Sequence, residues 1–246
     1  MRRESQTLTD TDSIEYNENY VRRLFSTIAP RYDLLNSLLS LNVDKSWRRL
    51  AAQVCSLRPG DSAIDVGTGT ADLAIELSKY VGKKGFVAAI DFCEPMLFLS
   101  ARKLGRMGIQ NIQLVSANAQ RIPFASGTFH AAVAGFVVRN VSRVETVFAE
   151  MTRVVRSGGR VVCLEFARPN DGIFGRLFKW YFHTILPYVG GLISGNFECY
   201  KYLPSSVDKF LSKDDLSGIM ASVGLGRIEV FDLTGGIAAV HVGVKK

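Results

Sequence analysis

A glycine-rich stretch after the first apolar run has residue types that suit a nucleoside ligand. It reads IDVGTGTAD, from Ile64 to Asp72, and a helical pattern follows it. A dinucleotide fingerprint needs a third glycine after Gly67 and Gly69, and Asp72 stands in its place. Asp65 and Asp72 also have the wrong charge for a turn that would hold a pyrophosphate on backbone N–H groups. The stretch therefore favours a ligand with a cationic end, such as S-adenosylmethionine, over NAD.

A further acidic residue and a polar loop fit the same kind of ligand. The run FVAAID ends in Asp91, about 20 residues beyond the turn, where a carboxylate can accept hydrogen bonds from both ribose hydroxyls. NAD sites use the same device, and a helix cap before Glu94 and Pro95 is the structural alternative. Asn118 and Ala119, after the next apolar run, could bond an adenine edge by side chain and backbone. An ordinary loop has the same pattern.

These residues lie at the ends of apolar runs that alternate with helical patterns from Ser62 onward. The strand-like runs are SAIDV, FVAAID, IQLVSA, HAAVAGF and RVVCLEF. Helical patterns cover Ala71 to Tyr80, Pro95 to Gly105 and the stretch VETVFAEMTRVV. Such alternation predicts an α/β fold, with a mainly parallel sheet and helices on both faces. Open sheets of this kind bind ligands at the carboxyl ends of their strands.

The C-terminal residues predict an antiparallel pair of strands. RIEVFDL, the turn TGG and IAAVHVGVK follow one another too closely for a crossover helix, so the two runs must pair as a hairpin. RSGGR, before RVVCLEF, predicts the end of a helix and a tight turn into a strand. We therefore expect a seven-stranded, mostly parallel sheet in which one strand of the C-terminal hairpin is antiparallel.

Two further segments are expected to cover the carboxyl ends of the sheet. Helical patterns occur within residues 18–40 and 44–55, and a long insertion, residues 168–212, separates the fifth and sixth strands. We divide the chain into an N-terminal helical segment over the site, residues 1–57, and a main domain, residues 58–246, which contains the insertion.

The composition is that of an ordinary globular protein of 246 residues with a net charge of +7. The excess of Lys and Arg favours acidic surfaces such as nucleic acid or anionic lipid, without choosing between them. The first residues, MRRESQTLTDTD, predict no signal peptide, and the apolar stretch 172–195 is too interrupted for a membrane span. The widely spaced cysteines predict reduced thiols, no metal site and a cytoplasmic protein. They are Cys55, Cys93, Cys163 and Cys199.

Several stretches resemble the class I S-adenosylmethionine methyltransferases, and within them the ubiquinone/menaquinone biosynthesis C-methyltransferases. The family's turn pattern, Asp-Val-x-x-Gly-Thr-Gly-Asp-Leu, is matched from Asp65 to Leu73, except that Ala71 stands where the family usually has glycine. The stretches FSTIAPRYDLLNSLLSLNVDKSWRR, GFVVRNV with LEFARP, ECYKYLPSSV and LTGGIAAVHVG resemble the family's other signatures. Further departures are His130 in place of the usual Asp and residues 137–138, Val-Val, in place of Gly-Leu.

The resemblance implies a Rossmann-like class I methyltransferase fold and S-adenosylmethionine as cofactor. It implies that these residues hold the cofactor: Asp65, Gly67, Gly69, Thr70, Asp91, Asn118, Ala119 and Gly135. It points to Arg139 and Asn140 as catalytic residues, with the guanidinium holding a developing phenolate or orienting a water that takes the proton. An ion pair of Arg139 with Glu145 or Glu165 is the alternative.

Three tyrosines are candidates for the wall of a quinol site. Tyr32 and Asp33 could close over the cofactor, although a helix start at Asp33 explains them equally well. Tyr200 and Tyr202 could line the pocket, and ordinary aromatic packing is the alternative. His241 matches a family histidine, but its apolar strand predicts a core residue.

The resemblance implies methyl transfer to a ring carbon of a prenylated quinol. Demethylmenaquinol is our preferred acceptor, and 2-methoxy-6-polyprenyl-benzoquinol is the alternative. An RNA methyltransferase would need an Asn-Pro-Pro-Tyr-like motif for a flipped base where this chain has GFVVRN, so we expect no nucleic-acid partner. A dehydrogenase is disfavoured by Asp72, and only an assay removes a non-catalytic binding module.

The apolar stretch 172–195 also predicts peripheral contact with an anionic membrane, at its inner face. Its aromatic residues suit a bilayer interface and its cations suit anionic headgroups. These residues are Phe178, Trp180, Tyr181 and Phe182, with Arg176 and Lys179. The alternative is that the aromatics only fill a roof over the site. The sequence leaves the oligomeric state open, a homo-oligomer included.

Overall fold

The computed structural model describes residues 10–169, 172–194 and 197–246. Over these residues the chain forms one sheet of seven strands. The strands are β1 (Ser62–Val66), β2 (Phe86–Asp91), β3 (Ile112–Ser116), β4 (Phe129–Gly135), β5 (Val155–Phe166), β6 (Leu225–Leu233) and β7 (Ala238–Lys245). Their order is β3-β2-β1-β4-β5-β7-β6, so the strand order reverses between β1 and β4. An open α/β sheet binds its ligands at such a reversal.

All described strand pairings are parallel except those of β7. This strand runs antiparallel to β5 on one side and to β6 on the other, with Ala238 opposite both Phe166 and Leu233. The turn between β6 and β7 places Gly235 at φ 67°, in the left-handed region that glycine adopts without strain. Two successive antiparallel pairings leave β6 parallel to the first five strands. The expectation of one antiparallel strand in the hairpin is confirmed.

Helices cover both faces of the sheet, because successive residues of a strand point to opposite sides. One group of helices packs on the face that carries Ala63 and Val133, and another on the face that carries Ile64 and Ala132. The first group is α3 (Val43–Val54), α4 (Asp72–Val81) and α5 (Glu94–Met107), and the second is α6 (Val144–Val154) and α10 (Lys213–Ser222). The central strands are buried on both sides, which accounts for their continuous apolar runs.

A layer of helices lies over the carboxyl ends of the strands, and we call it the roof. The roof has a hydrophobic core that is separate from those of the sheet, and Leu24 and Phe182 belong to it. Tyr181 Oη also donates a hydrogen bond to the carbonyl of Leu39 at 3.1 Å. No helix in the described ranges is long and apolar enough to cross a membrane. The roof consists of α1 (Asp10–Ile28), α2 (Tyr32–Leu39), α7 (Ile173–Trp180), a π-helical turn (Tyr181–Ile185), α8 (Leu186–Ser194) and α9 (Phe197–Asp208).

Two local features differ from the sequence-based expectation. The predicted turn RSGGR is a bulge inside β5, where Phe129 pairs with Val155 but Ala131 pairs with Arg160. The predicted N-terminal helix is divided by a 3₁₀ turn at residues 29–31, where Pro30 lacks the backbone donor that a continuous helix would use. The remaining strands and helices around the sheet lie where the apolar patterns predict them.

Candidate active site

The glycine-rich turn after β1 uses left-handed backbone conformations. Gly67 and Gly69 have φ values of 70° and 55°. A Cβ atom at Gly67 would lie 2.4 Å from Cγ2 of Val137, so this position has no room for a side chain. Ala71 has φ 68°, and α4 therefore begins at Asp72 and not at the predicted Ala71. A left-handed alanine costs about 1 kcal/mol relative to glycine, so the turn carries strain here.

The backbone amides of this turn are used inside the protein. Gly67 and Thr68 donate to the carbonyl of Ile90 at 2.8 and 2.9 Å. Gly69 donates to Oδ2 of Asp91 at 2.8 Å. A pyrophosphate needs such amides free to bind its oxygens. The turn therefore fits a nucleoside derivative that has no phosphate, and S-adenosylmethionine is one.

Asp91 joins the turn to the cleft beside it. Its Oδ1 accepts a hydrogen bond from the amide of Cys93, and its Oδ2 accepts one from Gly69, both at 2.8 Å. Each oxygen keeps a second lone pair, and Asp91 lines the cleft, so acceptors remain for ribose hydroxyls. Burial raises the pKa of Asp91, while these amide hydrogen bonds act to lower it. The helix-cap alternative for Asp91 is wrong, because the N-cap of α5 is Cys93 and no side chain caps this helix.

Asp65 and Thr70, predicted to bind the cofactor, do not line the cleft. Asp65 is 1% exposed and lies beneath the turn, where Oγ1 of Thr68 donates to it at 2.6 Å. Burial raises the pKa of Asp65 to about 7. Oγ1 of Thr70 donates to Oδ1 of Asp33 in α2 at 2.5 Å. Both residues therefore support the turn from behind or tie it to the roof.

Asp33 fastens the roof to the edge of the cleft. Lys103 in α5 lies 2.5 Å from Oδ2 of Asp33 and 2.8 Å from Oδ1 of Asp72. Together with Thr70, these residues connect α2, α4 and α5, and we call the group the Asp33 clasp. Its carboxylates are more than one-third exposed, so each ion pair is weak.

The cofactor cleft has a volume of about 80 Å³. Residues of the roof, Val21, Phe25 and Tyr32, form part of its wall. The sequence did not single out Val21 or Phe25, because an apolar helix face shows only that one side is buried. Six of the predicted cofactor residues line the cleft: Gly67, Gly69, Asp91, Asn118, Ala119 and Gly135.

A larger apolar cavity of about 580 Å³ lies next to the cleft, between the roof and α3. The predicted substrate residues Tyr32, Tyr200 and Tyr202 all line it. Phe25, Tyr32 and Phe136 line both spaces, so the cleft and the cavity meet at these three rings. This arrangement brings a nucleoside site and an apolar site together at the carboxyl ends of β1 and β4.

Arg139 also lines the cavity. Its Nη1 donates to Oε1 of Glu165 at 2.5 Å and to the carbonyl of Phe136 at 3.0 Å. The guanidinium carbon lies 5.2 Å from the centre of the Phe166 ring, a cation–π contact. Its buried Nε has no hydrogen-bond partner among the described residues. The predicted ion pair with Glu165 is therefore present, and one donor is still unused.

Asn140 connects the two spaces. It lines the cofactor cleft, and its Oδ1 accepts a hydrogen bond at 3.1 Å from Oη of Tyr202, which lines the apolar cavity. Phe136, which precedes Arg139 and Asn140 in the chain, has φ 60°. A bulky residue in this conformation is strained, and such strain concentrates at functional sites.

Asp44 and Arg48 form a buried ion pair that lines the same cavity, and neither is among the site residues predicted from the sequence. Oδ2 of Asp44 accepts from Nη1 of Arg48, and Oδ1 accepts from Oγ of Ser40 at 2.7 Å. Burial alone would lower the pKa of Arg48, but the carboxylates of Asp72 and Asp44 raise it above its ordinary value. An Asp and an Arg four residues apart are common on exposed helices, so their spacing did not reveal the burial.

The histidines lie away from both spaces. His241 is buried in β7, with Nε2 3.1 Å from the carbonyl of Lys213, and burial lowers its pKa. Nδ1 of His241 has no partner in the described part of the chain. His130 lies 3.0 Å from Asp61. Among the described residues, no three His, Cys, Asp or Glu side chains are grouped as a metal site.

The solved structures with a similar fold include methyltransferases that use S-adenosylmethionine. One from Aquifex aeolicus has a TM-score of 0.58 and 20% identity, and the match covers 77% of this chain and 85% of that one. Another, from Thermotoga maritima and described as a possible histamine N-methyltransferase, has a TM-score of 0.63 and 16% identity, over 91% and 99%. These likenesses show the fold alone, and the [4+2]-cyclase SpnF also matches with a TM-score of 0.63. The fold is that of the class I S-adenosylmethionine-dependent methyltransferases.

Within that class, the sequence places the chain in one family. The model of the ubiE/COQ5 methyltransferase family matches residues 13–245, and the chain belongs to this family. A Geobacter sp. (strain M21) relative, named a ubiquinone/menaquinone biosynthesis C-methyltransferase, is 42% identical over 92% of this chain and 96% of its own length. A Thermus thermophilus relative, named a demethylmenaquinone methyltransferase, is 43% identical over 89% and 99%. The predicted family, fold and cofactor are confirmed.

Proposed function

We propose that this protein transfers a methyl group from S-adenosylmethionine to a ring carbon of demethylmenaquinol, a prenylated quinol. The observation that carries the proposal is the apolar cavity, which is large enough for a ring with part of its prenyl chain and shares three aromatic lining residues with the cofactor cleft. Relatives from Thermus thermophilus and Bacillus cytotoxicus are named for demethylmenaquinone. The Geobacter relative is named for both quinones, which supports methylation of 2-methoxy-6-polyprenyl-benzoquinol as the second candidate.

The side chains at the junction suit activation of a phenol. Bound S-adenosylmethionine supplies a methyl group on a sulfonium, so the protein needs to align the acceptor and stabilise its charge. The guanidinium of Arg139, which lines the cavity, can donate to a phenolic oxygen that becomes negative as its proton leaves. Arginine stays charged in proteins, so the proton passes to a water that the site orients. Glu165 holds the guanidinium in place during this step.

Two acceptors assayed side by side test the proposed function. The protein is incubated with isotope-labelled S-adenosylmethionine and with either reduced demethylmenaquinone or the reduced methoxy-benzoquinone, and mass spectrometry locates the label. We expect a labelled methyl on a ring carbon of the naphthoquinol. Label on the benzoquinol alone would select the second candidate. Label on neither acceptor, with S-adenosylmethionine bound, would contradict the proposed function.

We also propose that the protein rests on an anionic bilayer, where its acceptor resides. Residues 172–194 contain no Asp or Glu, and Arg176 and Lys179 are exposed. Leu177 and Trp180 are 60% and 55% exposed and also line the cavity, so apolar side chains surround its mouth. Phe182, in contrast, is 4% exposed and belongs to the core of the roof. The segment thus offers features of both predicted roles.

Vesicle sedimentation tests this contact with the membrane. We expect binding to anionic vesicles that weakens as salt screens the charges, and little binding to neutral vesicles. Arg176→Glu with Lys179→Glu should abolish the salt-sensitive binding. Lys83→Glu with Lys84→Glu, the same charge change at the opposite end of the sheet, is the matched control and should retain it. A wild-type protein that stays in the supernatant at low salt would show that the acceptor must be delivered.

A further inference from the structure

The buried ion pair of Asp44 and Arg48 is unusual for the wall of an apolar cavity. Both oxygens of Asp44 are engaged, one by Ser40 and one by Arg48. The Arg48 side chain carries five N–H donors, and within the described ranges it donates hydrogen bonds to Asp44 alone. Arg48 lines the cavity, so its remaining donors are available to a ligand.

Stability alone does not account for this pair. Taking two charges out of water costs several kcal/mol per ion, and apolar residues of similar size are often as stable or more so. The cation–π contact with Phe136, 5.5 Å from the guanidinium carbon to the ring centre, recovers a small part of that cost. A ligand with an oxygen acceptor would use the donors that remain.

Arg48 and Arg139 approach the same aromatic ring. Their guanidinium carbons lie 5.5 and 6.0 Å from the centre of Phe136, so they are separated by no more than the sum of these distances. Tyr32, where the cleft meets the cavity, is close enough to both that each acts to lower its pKa, although burial raises that pKa overall. Both guanidinium groups therefore lie beside Phe136, where the cavity that they line meets the cofactor cleft.

A reduced quinone ring matches this pair of donors. Its two oxygens are attached at opposite ends of the ring, and a hydrogen bond at each end adds about 2.9 Å between heavy atoms. Hydrogen bonds at both ends of the ring fix its position along the cavity and also prevent it from rotating within its own plane. One donor would fix a single end and leave the ring free to rotate about it.

We propose that Arg48, held by Asp44, binds the second oxygen of the quinol ring, the one para to the oxygen at Arg139. The two arginines then determine which ring carbon faces the cofactor cleft. This inference rests on the proposed function, because it assumes a dihydroxylated ring in the cavity. Arg48 is a binding and positioning residue, and no proton transfer is assigned to it.

The test compares a prenylated 1,4-dihydroxynaphthalene with its counterpart that lacks the para hydroxyl. Binding of each is measured by calorimetry without oxygen, in the presence of S-adenosylhomocysteine. The wild type should bind the dihydroxy compound tenfold to a hundredfold more tightly, as expected for a hydrogen bond to a charged group. In Asp44→Leu with Arg48→Met, which removes the pair together, this ratio should fall to about one while binding of S-adenosylhomocysteine is unchanged.

Two further variants keep the result interpretable. Glu76→Leu with Lys79→Met removes an exposed pair on α4 and should keep the wild-type ratio. Arg48→Lys retains the charge beside Asp44 but loses the planar fork, so a folded Arg48→Lys protein should show an intermediate ratio.

The outcomes separate this inference from the proposed function. If the double variant loses affinity equally for both compounds, Arg48 only shapes the cavity and the inference is overturned. A wild type that binds both compounds equally overturns it as well. If the wild type binds neither compound, the proposed function fails, and this inference with it.

Discussion

The cofactor cleft and the apolar cavity share a wall, but different contacts hold them. In the cleft, the decisive polar contact is between backbone and a buried carboxylate, as with Gly69 and Asp91. In the cavity, it is between charged side chains, as with Arg139 and Glu165, among packed aromatic rings. Backbone contacts tie the cleft to the sheet, whereas side chains can be exchanged with little change of fold. The two spaces should therefore respond separately to substitution.

Removal of the Arg139 guanidinium should have the largest effect and should act on the cavity alone. Arg139→Met, made together with Glu165→Gln so that no buried charge is left unpaired, should lower turnover about 100- to 1000-fold, the usual loss for a group that stabilises developing charge. Affinity for S-adenosylmethionine should stay close to that of the wild type. Steady-state kinetics and calorimetry measure the two quantities.

Arg139→Lys refines this result. It keeps the charge and loses the planar fork, so turnover should fall less than in the Met variant. If both variants keep wild-type turnover, the ion pair with Glu165 is structural and the phenolate role is wrong. A parallel loss of cofactor affinity would show that the two spaces are coupled.

Asp65, beneath the glycine-rich turn, provides a test of the contacts that support the cofactor cleft. Its pKa of about 7 in the folded protein lies above the unfolded value of 3.8. The folded state holds a proton that the unfolded chain releases, so the free energy of unfolding falls as the pH rises between these values. Asp65→Asn should remove this part of the fall, about 4 kcal/mol. Denaturant unfolding at both ends of the window measures it.

The exposed Asp214 offers a matched control for that experiment. Asp214→Asn should leave the pH dependence of unfolding as it is in the wild type. Should Asp65→Asn show the same decline with pH as the wild type, Asp65 would be ionised in the folded protein despite its burial.

Asp91 should govern cofactor affinity without acting on the acceptor. Asp91→Ala should weaken binding of S-adenosylmethionine by about 1 to 3 kcal/mol, because charge-assisted hydrogen bonds to the ribose are lost. Calorimetry with the cofactor, and with NAD as a comparison ligand, is the measurement. An unchanged dissociation constant would exclude the ribose role, and tight binding of NAD to the wild type would contradict the assignment of the cleft.

The Asp33 clasp should give the smallest effect. Lys103→Met removes two partly exposed ion pairs, each worth about 0.2 to 1 kcal/mol, so cofactor release should accelerate severalfold. The acceleration should shrink at high salt, where the wild-type pairs are already screened. Stopped-flow displacement of the cofactor measures the rate. An exposed lysine outside the clasp, changed as Lys79→Met, should leave the rate unaltered.

The parts that the sequence predicted well are those with a short repeat or a fixed spacing. The strands follow from continuous apolar runs, and Asp91 follows from its distance to the glycine-rich turn. Asp65 shows the limit of this reasoning. A carboxylate next to the turn can face the ligand or lie beneath it, and only the course of the backbone through Gly67 and Thr68 decides between them.

The cavity was harder to predict because it joins segments that are distant in the chain. Apolar patterns in α1, α2 and the insertion showed buried faces, but not that these faces meet one another. Phe136 has no signature either, since a left-handed backbone is expected at glycine and not at phenylalanine. Tyr200 and Tyr202 were found only through the family resemblance.

The roof is built from two distant parts of the chain, the N-terminal helices α1 and α2 and the helices of the insertion. This determines when the roof can fold during synthesis. The helices α1 and α2 leave the ribosome first, and more than half of the chain is translated before α7 follows. Until then, Leu24 and Leu35 lack the partners that cover them. The last strand to emerge, β7, must still enter the sheet between β5 and β6. A nascent chain therefore carries uncovered apolar helix faces while more than half of its residues are added, the condition under which chaperones bind and aggregation begins.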